Sequence, residues 1–489
     1  MQTGILISLA LYFLLMIAIG LYAQKRSTAD SEGYLLAGRN LPPSVAALSA
    51  GASDMSGWLL LGLPGALYIS GLVEAWIGIG LFVGALLNWI IVAPRLREQT
   101  EALGNALTIP EFLANRFPDK ALTLRVVSAV VIVSFFTVYT AAGLVGGGKL
   151  FATSFASLVG GSGLSPYLAG ILITAGVVVA YTMIGGFLAV SLTDFVQGIL
   201  MLLALVIMPL VVMYGPGGQA GASLLDVQPG FLDIGYGLTL LGFLSAVAWG
   251  LGYFGQPHII VRFMAIRSVK EVVAARWIGM AWMAICLAGA IGVGLAGRAL
   301  VERNGMQVVD PETIFIVLAN ALFHPLVTGF LLAALLAAIM STISSQLLVA
   351  SSSLTEDFYR LFFRKEASER ETVNASRFFV LAVAIAAIVI ASDPASEVLG
   401  LVSNAWAGFG AAFGPLILLS LTWDRMTGAG AVAGLVTGAL VVFGWIAAGW
   451  NASFMGGEGI YEIIPGFAAA MIAIVIVSIA GKADAPPAI

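Results

Sequence analysis

An all-α protein threaded repeatedly through a membrane is the fold class this sequence predicts, and three observations carry the prediction. Hydrophobic residues make up 60% of the 489-residue chain against 10% charged, with a mean hydropathy of +1.02. Thirteen apolar runs are long enough to cross ~30 Å of hydrocarbon as helices at ~1.5 Å per residue. The lysines and arginines, 22 in all, gather on alternate connections between these runs, as the preference for basic residues on the cytoplasmic side requires.

In chain order the runs cover 3–23, 43–70, 73–94, 122–152, 166–188, 190–213, 236–262, 272–298, 325–355, 374–392, 397–421, 428–449 and 461–481. Several exceed the ~20 residues of a perpendicular crossing, so tilt, extension past the membrane or breaks are expected. Thirteen crossings place the termini on opposite faces. With the N-terminus outside, Lys149, Arg298 and Arg303 are external and every other lysine and arginine, Lys25 through Lys482, is internal. The N-terminus is therefore expected to be extracytoplasmic and the C-terminus cytoplasmic.

The longest polar stretches are 95–121 and 356–373 inside, and 214–235 and 299–324 outside, so residues 1–489 read as a single transmembrane domain. The first run is too long and lacks the basic flank of a cleavable signal peptide. One cysteine, Cys286, excludes an internal disulfide framework, and two histidines leave little for metal or acid–base chemistry. A net charge of -4 over so long a chain says nothing about partners, and the lipid bilayer is the one that composition implies.

Chemistry is expected where these helices carry charge, hydroxyls, glycine or proline, because broken helices expose backbone groups to solutes. Asp54 is the only charged residue between Arg39 and Glu74. A charge near mid-membrane costs roughly 2.5–3.5 kcal/mol, so it faces a cavity, a partner or an ion. Around it, Ser49 to Trp58 and then Gly62, Pro64 and Gly65 combine small residues with hydroxyls. Unwound backbone here would offer carbonyl oxygens to a hard cation, and the half-helix after Gly57 would offer its N-terminus to an anionic group. Helix packing accounts for the glycines but not for the aspartate.

A second segment places Ala338, Ser341, Thr342 and Ser345 on one helical face. Hydroxyls beside a carbonyl suit a sodium ion, and equally suit Ser and Thr bonding back into their own helix. A third places Ser245, Trp249, Tyr253 and Gln256 on one expected α-helical stripe that ends at Pro257 and His258. Aromatics with polar tips fit a pocket for a small amphipathic solute, although such stripes more often serve packing; Tyr139 reads the same way. Two other patterns carry no function. Gly143 to Lys149 matches a phosphate-binding loop except that Leu150 replaces the required hydroxyl, and the sequons at Asn374 and Asn451 are at chance level.

The runs SAGASDMSGWLLLGLPGA, FFTVYTAAG, TMIGGFLAVSLTDFVQ, WGLGYFGQPHIIVRFMAI and AAIMSTISSQLLVASSSLTEDF together resemble the sodium/solute symporter family, most closely its proline-carrying members. The resemblance covers nearly the whole chain. It implies a LeuT-type fold of about 13 helices, with inverted repeats at about 43–213 and 236–421, one extra N-terminal helix and two extra C-terminal ones. It implies a sodium site from the carbonyls of Ala52, Met55 and Ala338 and the hydroxyls of Ser341 and Thr342, with Asp54 as ligand, organiser or attractor. It implies a pocket for L-proline from Ser56, Gly57, Trp58, Tyr139, Trp249, Tyr253, Gln256 and Pro257. Sugar-carrying members usually have Asn where this chain has Asp54.

The activity so implied is sodium-coupled import of L-proline across the bacterial plasma (inner) membrane, with sodium as the only cofactor. Another small carboxylate such as pantothenate is the alternative solute. A channel would need a ring-forming filter repeat. An enzyme would need catalytic clusters, and neither signal is present. No nucleic-acid partner and no obligate protein partner is indicated.

Overall fold

The computed structural model describes residues 2–26, 31–156, 163–215 and 227–481. Lys482 and residues 216–226 of the 214–235 connection lie outside the described residues. Among the described residues the fold is helical throughout, and eleven helices are long and apolar enough to cross a membrane. The chain is an integral membrane protein.

The long helices are α1 (Gln2–Arg26), α4 (Ala75–Ala102), α5 (Ala121–Ser154), α6 (Pro166–Tyr214), α9 (Val272–Asn304), α11 (Pro325–Ser352), α12 (Glu369–Ala391), α13 (Val398–Thr422), α14 (Gly428–Ala447) and α15 (Ile463–Ala480). Helix α6 supplies two of the eleven spans because it bends at Gly186, where φ is 59°. A Cβ there would stand 2.6 Å from the Tyr34 ring, so the bend needs a residue with neither side chain nor a left-handed penalty. In the most apolar windows of α11 and α13, 83% of residues are buried, against 28% in α1, α12 and α15. The first two form the centre of the bundle, and the other three present apolar side chains to lipid.

Two of the thirteen expected runs are not continuous helices. Run 43–70 divides into α2 (Pro43–Asp54) and α3 (Trp58–Ser70), which opens with a π turn over Trp58–Gly62. Met55, at φ -80° and ψ 74°, leaves the helix, and Gly57 follows. A Cβ on Gly57 would come within 3.1 Å of Ile339, so small residues let the break approach α11 closely. Run 236–262 divides into α7 (Leu240–Val247), a 3-10 helix over Ala248–Gly255, and α8 (Pro257–Ala265). Pro257 has no N–H to donate and biases Gln256 toward extended backbone, seen at φ -84° and ψ 103°. The start of α2 and the end of α8 meet through an isolated bridge between Leu41 and Ile266, with Leu41 N donating to Ala265 O at 3.0 Å and Arg267 N to Leu41 O at 3.2 Å.

One expectation about the connections is corrected. The stretch 299–324, read as polar, holds the apolar helix α10 (Ile314–Leu322), with Ile314, Phe315, Ile316, Leu318 and Ala319 buried. Nine residues are too few to span a membrane, and charged flanks at Arg303, Asp310 and Glu312 masked the apolar run. Lys149 joins this segment to α5, with its Nζ 2.7 Å from Asp310 and 2.8 Å from Glu312.

Candidate functional site

Where α2 ends, helix geometry leaves carbonyls without partners. The Asp54 carbonyl receives the Trp58 indole N–H at 3.1 Å, the Tyr139 hydroxyl at 3.4 Å and the Ser56 amide at 2.9 Å. Three groups expected at the solute pocket thus converge on the break. The Ser56 hydroxyl accepts from the Trp58 amide at 3.4 Å, which tightens the same turn.

On the α11 side of the break, Ser341 Oγ donates to the carbonyls of Ala52 at 2.7 Å and Ala338 at 3.1 Å. Thr342 Oγ1 lies 3.5 Å and 3.3 Å from the same two oxygens. Four oxygens from two helices therefore crowd together in a fully buried place, and none belongs to a nitrogen-bearing or charged side chain. Each hydroxyl can rotate its proton away and present a lone pair, so the set can pass from self-satisfied hydrogen bonds to ligation of a hard cation. Met55 lies just past the last helical residue, with its N–H on the Gly51 carbonyl.

The Asp54 carboxylate points elsewhere. It lies two residues beyond Ala52, about 200° round the helix. One oxygen accepts a hydrogen bond from Tyr253; the other has no partner among the described residues. Asp54 is 2% exposed and lines a cavity of about 20 Å³ with Asn88, Trp89, Tyr253 and Met283, room for about one water-sized occupant. Asn88 Oδ1 is unpartnered as well. The carboxylate is thus next to the hydroxyl cluster without being hydrogen-bonded to it.

The second break supplies aromatic surface, but not by the expected stripe. Residues 248–255 form a 3-10 helix of ~3 residues per turn, so Ser245, Trp249, Tyr253 and Gln256 do not share one face as an α-helix would place them. Tyr253 turns to Asp54 and sits edge-on to Trp406, with centroids 5.1 Å apart. Trp249 stacks on Tyr461 at 5.2 Å, and its carbonyl accepts from the Trp406 indole at 2.7 Å. Ser245 Oγ accepts from the Tyr461 amide at 3.3 Å, and Gln256 Nε2 donates to Trp406 O at 3.1 Å. Pro257 lines a separate, mostly apolar cavity of about 20 Å³ with Ile132, Val261 and Leu348.

Sequence reasoning missed three participants. Trp406 and Tyr461 lie in runs whose composition is plain membrane helix, and only the fold brings them to the second break. Asp194 lay within one of the quoted runs without a role. It is fully buried on α6, 3.2 Å from Arg262 of α8, and accepts from Ser49 at 2.7 Å and Ser53 at 2.9 Å. A lone carboxylate in an apolar run was the available signal, the one that drew attention to Asp54.

The model of the sodium:solute symporter family matches residues 34–438. The chain is 54% identical over 470 residues to the high-affinity proline transporter PutP of Bacillus subtilis (strain 168), covering 96% of each protein. It is 51% identical over 487 residues to the osmoregulated proline transporter OpuE of the same strain, covering 99% of this chain and 96% of that one. It is also 51% identical over 486 residues to the sodium/proline symporter of Staphylococcus aureus (strain NCTC 8325 / PS 47), covering 98% and 92%. Among solved structures, a sodium-coupled sialic acid symporter in a substrate-bound outward-open state matches with a TM-score of 0.80 at 18% identity, over 98% of both chains. Mhp1, a nucleobase-cation-symport-1 family transporter, matches with a TM-score of 0.57 at 15% identity, over 91% of this chain and 92% of that one. These two likenesses establish the shared fold.

Proposed function

From the premise that this chain belongs to the sodium:solute symporter family, we propose that it is an electrogenic sodium-coupled importer of L-proline that works by alternating access. The observation that carries the reading is the meeting of the Ala52 and Ala338 carbonyls with the Ser341 and Thr342 hydroxyls at a helix break. The names of relatives at 51–54% identity over almost the full length support the solute and the ion.

In this reading sodium is held by the carbonyls of Ala52, Met55 and Ala338 and the hydroxyls of Ser341 and Thr342. Asp54 acts from the neighbouring cavity as the charge that attracts the ion and orders the break. Proline lies among Ser56, Gly57, Trp58, Tyr139, Trp249, Tyr253 and Gln256, with Pro257 fixing the second break. Sodium joining α2 to α11 stabilises the arrangement that completes the proline pocket, and inward opening releases both solutes. The whole chain acts as one transmembrane domain in the plasma membrane. Counting the two discontinuous elements, it makes thirteen crossings, with repeats at about 43–213 and 236–421 and the N-terminus outside.

The energetics suffice. With one sodium per proline, ~100 mV supplies ~2.3 kcal/mol. A tenfold sodium gradient adds ~1.4 kcal/mol, and together they sustain a roughly 500-fold proline gradient. The direct test is uptake of labelled L-proline into proteoliposomes with and without an inward sodium gradient, with unlabelled pantothenate and other small carboxylates as competitors. Sodium-driven proline accumulation is expected. Sodium-driven uptake of a different carboxylate, with none of proline, would overturn the solute and keep the coupling.

A further inference from the structure

Away from both helix breaks, at the end of the molecule proposed to face the cytoplasm, lies a cavity of about 420 Å³. Six residues line it, Glu111, Arg125, Glu356, Arg360, Leu361 and Lys365, and five of them carry charge. They come from three places. Glu111 is on the short helix Ile109–Arg116, Arg125 is in the first turns of α5, and the others follow α11. That helix does not stop at Ser352 but continues as a π helix over Ser353–Tyr359 and a last turn over Arg360–Phe362, with Lys365 in the connection beyond. Departures to π geometry are rare and gather at functional sites.

Hydrogen bonds hold most of these groups in place. Thr108 Oγ1 accepts from the Glu111 amide at 3.1 Å, and Glu111 Oε2 accepts from the Leu107 amide at 2.8 Å, so this carboxylate is fixed against the start of its own helix. Arg125 uses Nε on Asp357 at 2.7 Å and one terminal nitrogen on the Glu356 carbonyl at 3.2 Å. Asp357 is fully buried and also accepts from the Thr108 hydroxyl at 3.3 Å. Arg360 pairs with one oxygen of Glu356 at 2.7 Å. The other oxygen of Glu356 is buried without a partner among the described residues, and the whole residue is only 8% exposed. Lys365 makes no hydrogen bond or ion pair among the described residues. One cavity therefore holds an acceptor without a donor and an ammonium without an acceptor.

We propose that this cavity is a second solute site, which takes the zwitterion of an α-amino acid from the cytoplasmic side. The ammonium of the ligand meets Glu111 and the open oxygen of Glu356, and its carboxylate meets Lys365 and Arg360. The inference rests on the proposed import of L-proline, because the imported solute is the zwitterion that arrives at this face, and it adds a place for that solute after release. Charge selects the class of ligand. Glu111, Glu356 and Asp357 balance Arg125, Arg360 and Lys365, so a lone anion or cation would leave the set unbalanced, whereas a zwitterion answers both signs at once. Leu361 supplies the one apolar contact, as an aliphatic ring requires. The positive partners are built into the chain, so binding here needs no sodium.

The test is equilibrium binding of labelled L-proline to the purified full-length protein, with sodium and with sodium replaced by potassium. Wild type is expected to bind two molecules per chain at saturation with sodium and one without it. Lys365→Met and Glu356→Gln are each expected to weaken the sodium-free binding at least about tenfold and to keep the sodium-dependent binding, and Lys365→Arg to stay within about threefold of wild type. Trp249→Ala is expected to do the reverse, weakening the sodium-dependent binding alone. Unlabelled glycine should displace the sodium-free label, and inorganic phosphate or methylamine should not. The proposal is overturned by a wild type with no sodium-free binding, by sodium-free binding that is unchanged in Lys365→Met, or by displacement with phosphate alone. Lys365 lies in an exposed connection, so its variant is expected to keep the wild-type fold and decides the matter if Glu356→Gln does not fold. Sodium-free binding with no sodium-dependent binding keeps this site and counts against the functional reading.

Discussion

The two helix breaks are built by different means and present different chemistry. At the first, α2 stops at Met55-Ser56-Gly57, its α11 side is a cluster of carbonyl and hydroxyl oxygens, and Trp58 and Tyr139 close on the Asp54 carbonyl. At the second, Pro257 stops the chain by lacking a donor, and what faces the gap is ring surface from Trp249, Tyr253, Trp406 and Tyr461. The contrast teaches that one architectural device can present two chemistries, and the proposed function gives the oxygen side to a hard ion and ring surface to an amphipathic solute. Tyr253 crosses between them, since its ring belongs to the aromatic group and its hydroxyl to Asp54.

On the proposed assignment, variants of Asp54 and the hydroxyl cluster change the sodium requirement, and variants of the aromatic group at the second break change the proline requirement. The largest effect is expected from Asp54→Asn. The sodium concentration for half-maximal proline uptake should rise about 100-fold, the equivalent of ~2.7 kcal/mol, while membrane insertion is retained. An unchanged sodium titration would remove Asp54 from the site. Trp249→Ala should raise the proline concentration for half-maximal uptake about 20-fold at saturating sodium and leave sodium activation within about twofold. Equal shifts in both would erase the distinction between the breaks. Thr342→Val deletes one neutral oxygen of the hydroxyl cluster and should raise the sodium requirement about tenfold, ~1.4 kcal/mol. Normal sodium affinity in that variant would exclude the threonine as a ligand. Tyr253→Phe keeps the ring and removes the hydroxyl, so sodium activation should weaken about threefold with proline affinity nearly constant. A larger effect on proline than on sodium would place the hydroxyl in the solute pocket.

Much of this was legible before any coordinates. Apolar run lengths located the eleven membrane-length helices, and the hydroxyl, glycine and carboxylate content of 49–58 marked the first break, because lipid tolerates such residues only where they serve packing or a cavity. The α-periodicity of Ala338, Ser341, Thr342 and Ser345 held because α11 is a continuous helix. The same reasoning misplaced Trp249 relative to Tyr253, since an α-period was assumed where the backbone is 3-10. The Asp194–Arg262 pair was out of reach for another reason. Its members are 68 positions apart, and pairing them needs the packing of α6 against α2 and α8. Trp406, in α13, and Tyr461, just before α15, are ordinary aromatics of apolar runs until the fold selects them.

The Leu41–Ile266 bridge gives the two discontinuous helices a common zero of depth. Counted outward from it, α2 runs twelve residues, about 18 Å, before it stops, and α8 runs nine, about 14 Å. Both gaps therefore open at nearly one level, within about three residues of each other along the helices. The bridge also ties α2 and α8 together at the ends far from their breaks. A displacement of either helix at that end pulls on the other, so on the proposed function the ion and solute ligands would be disturbed in the same stroke.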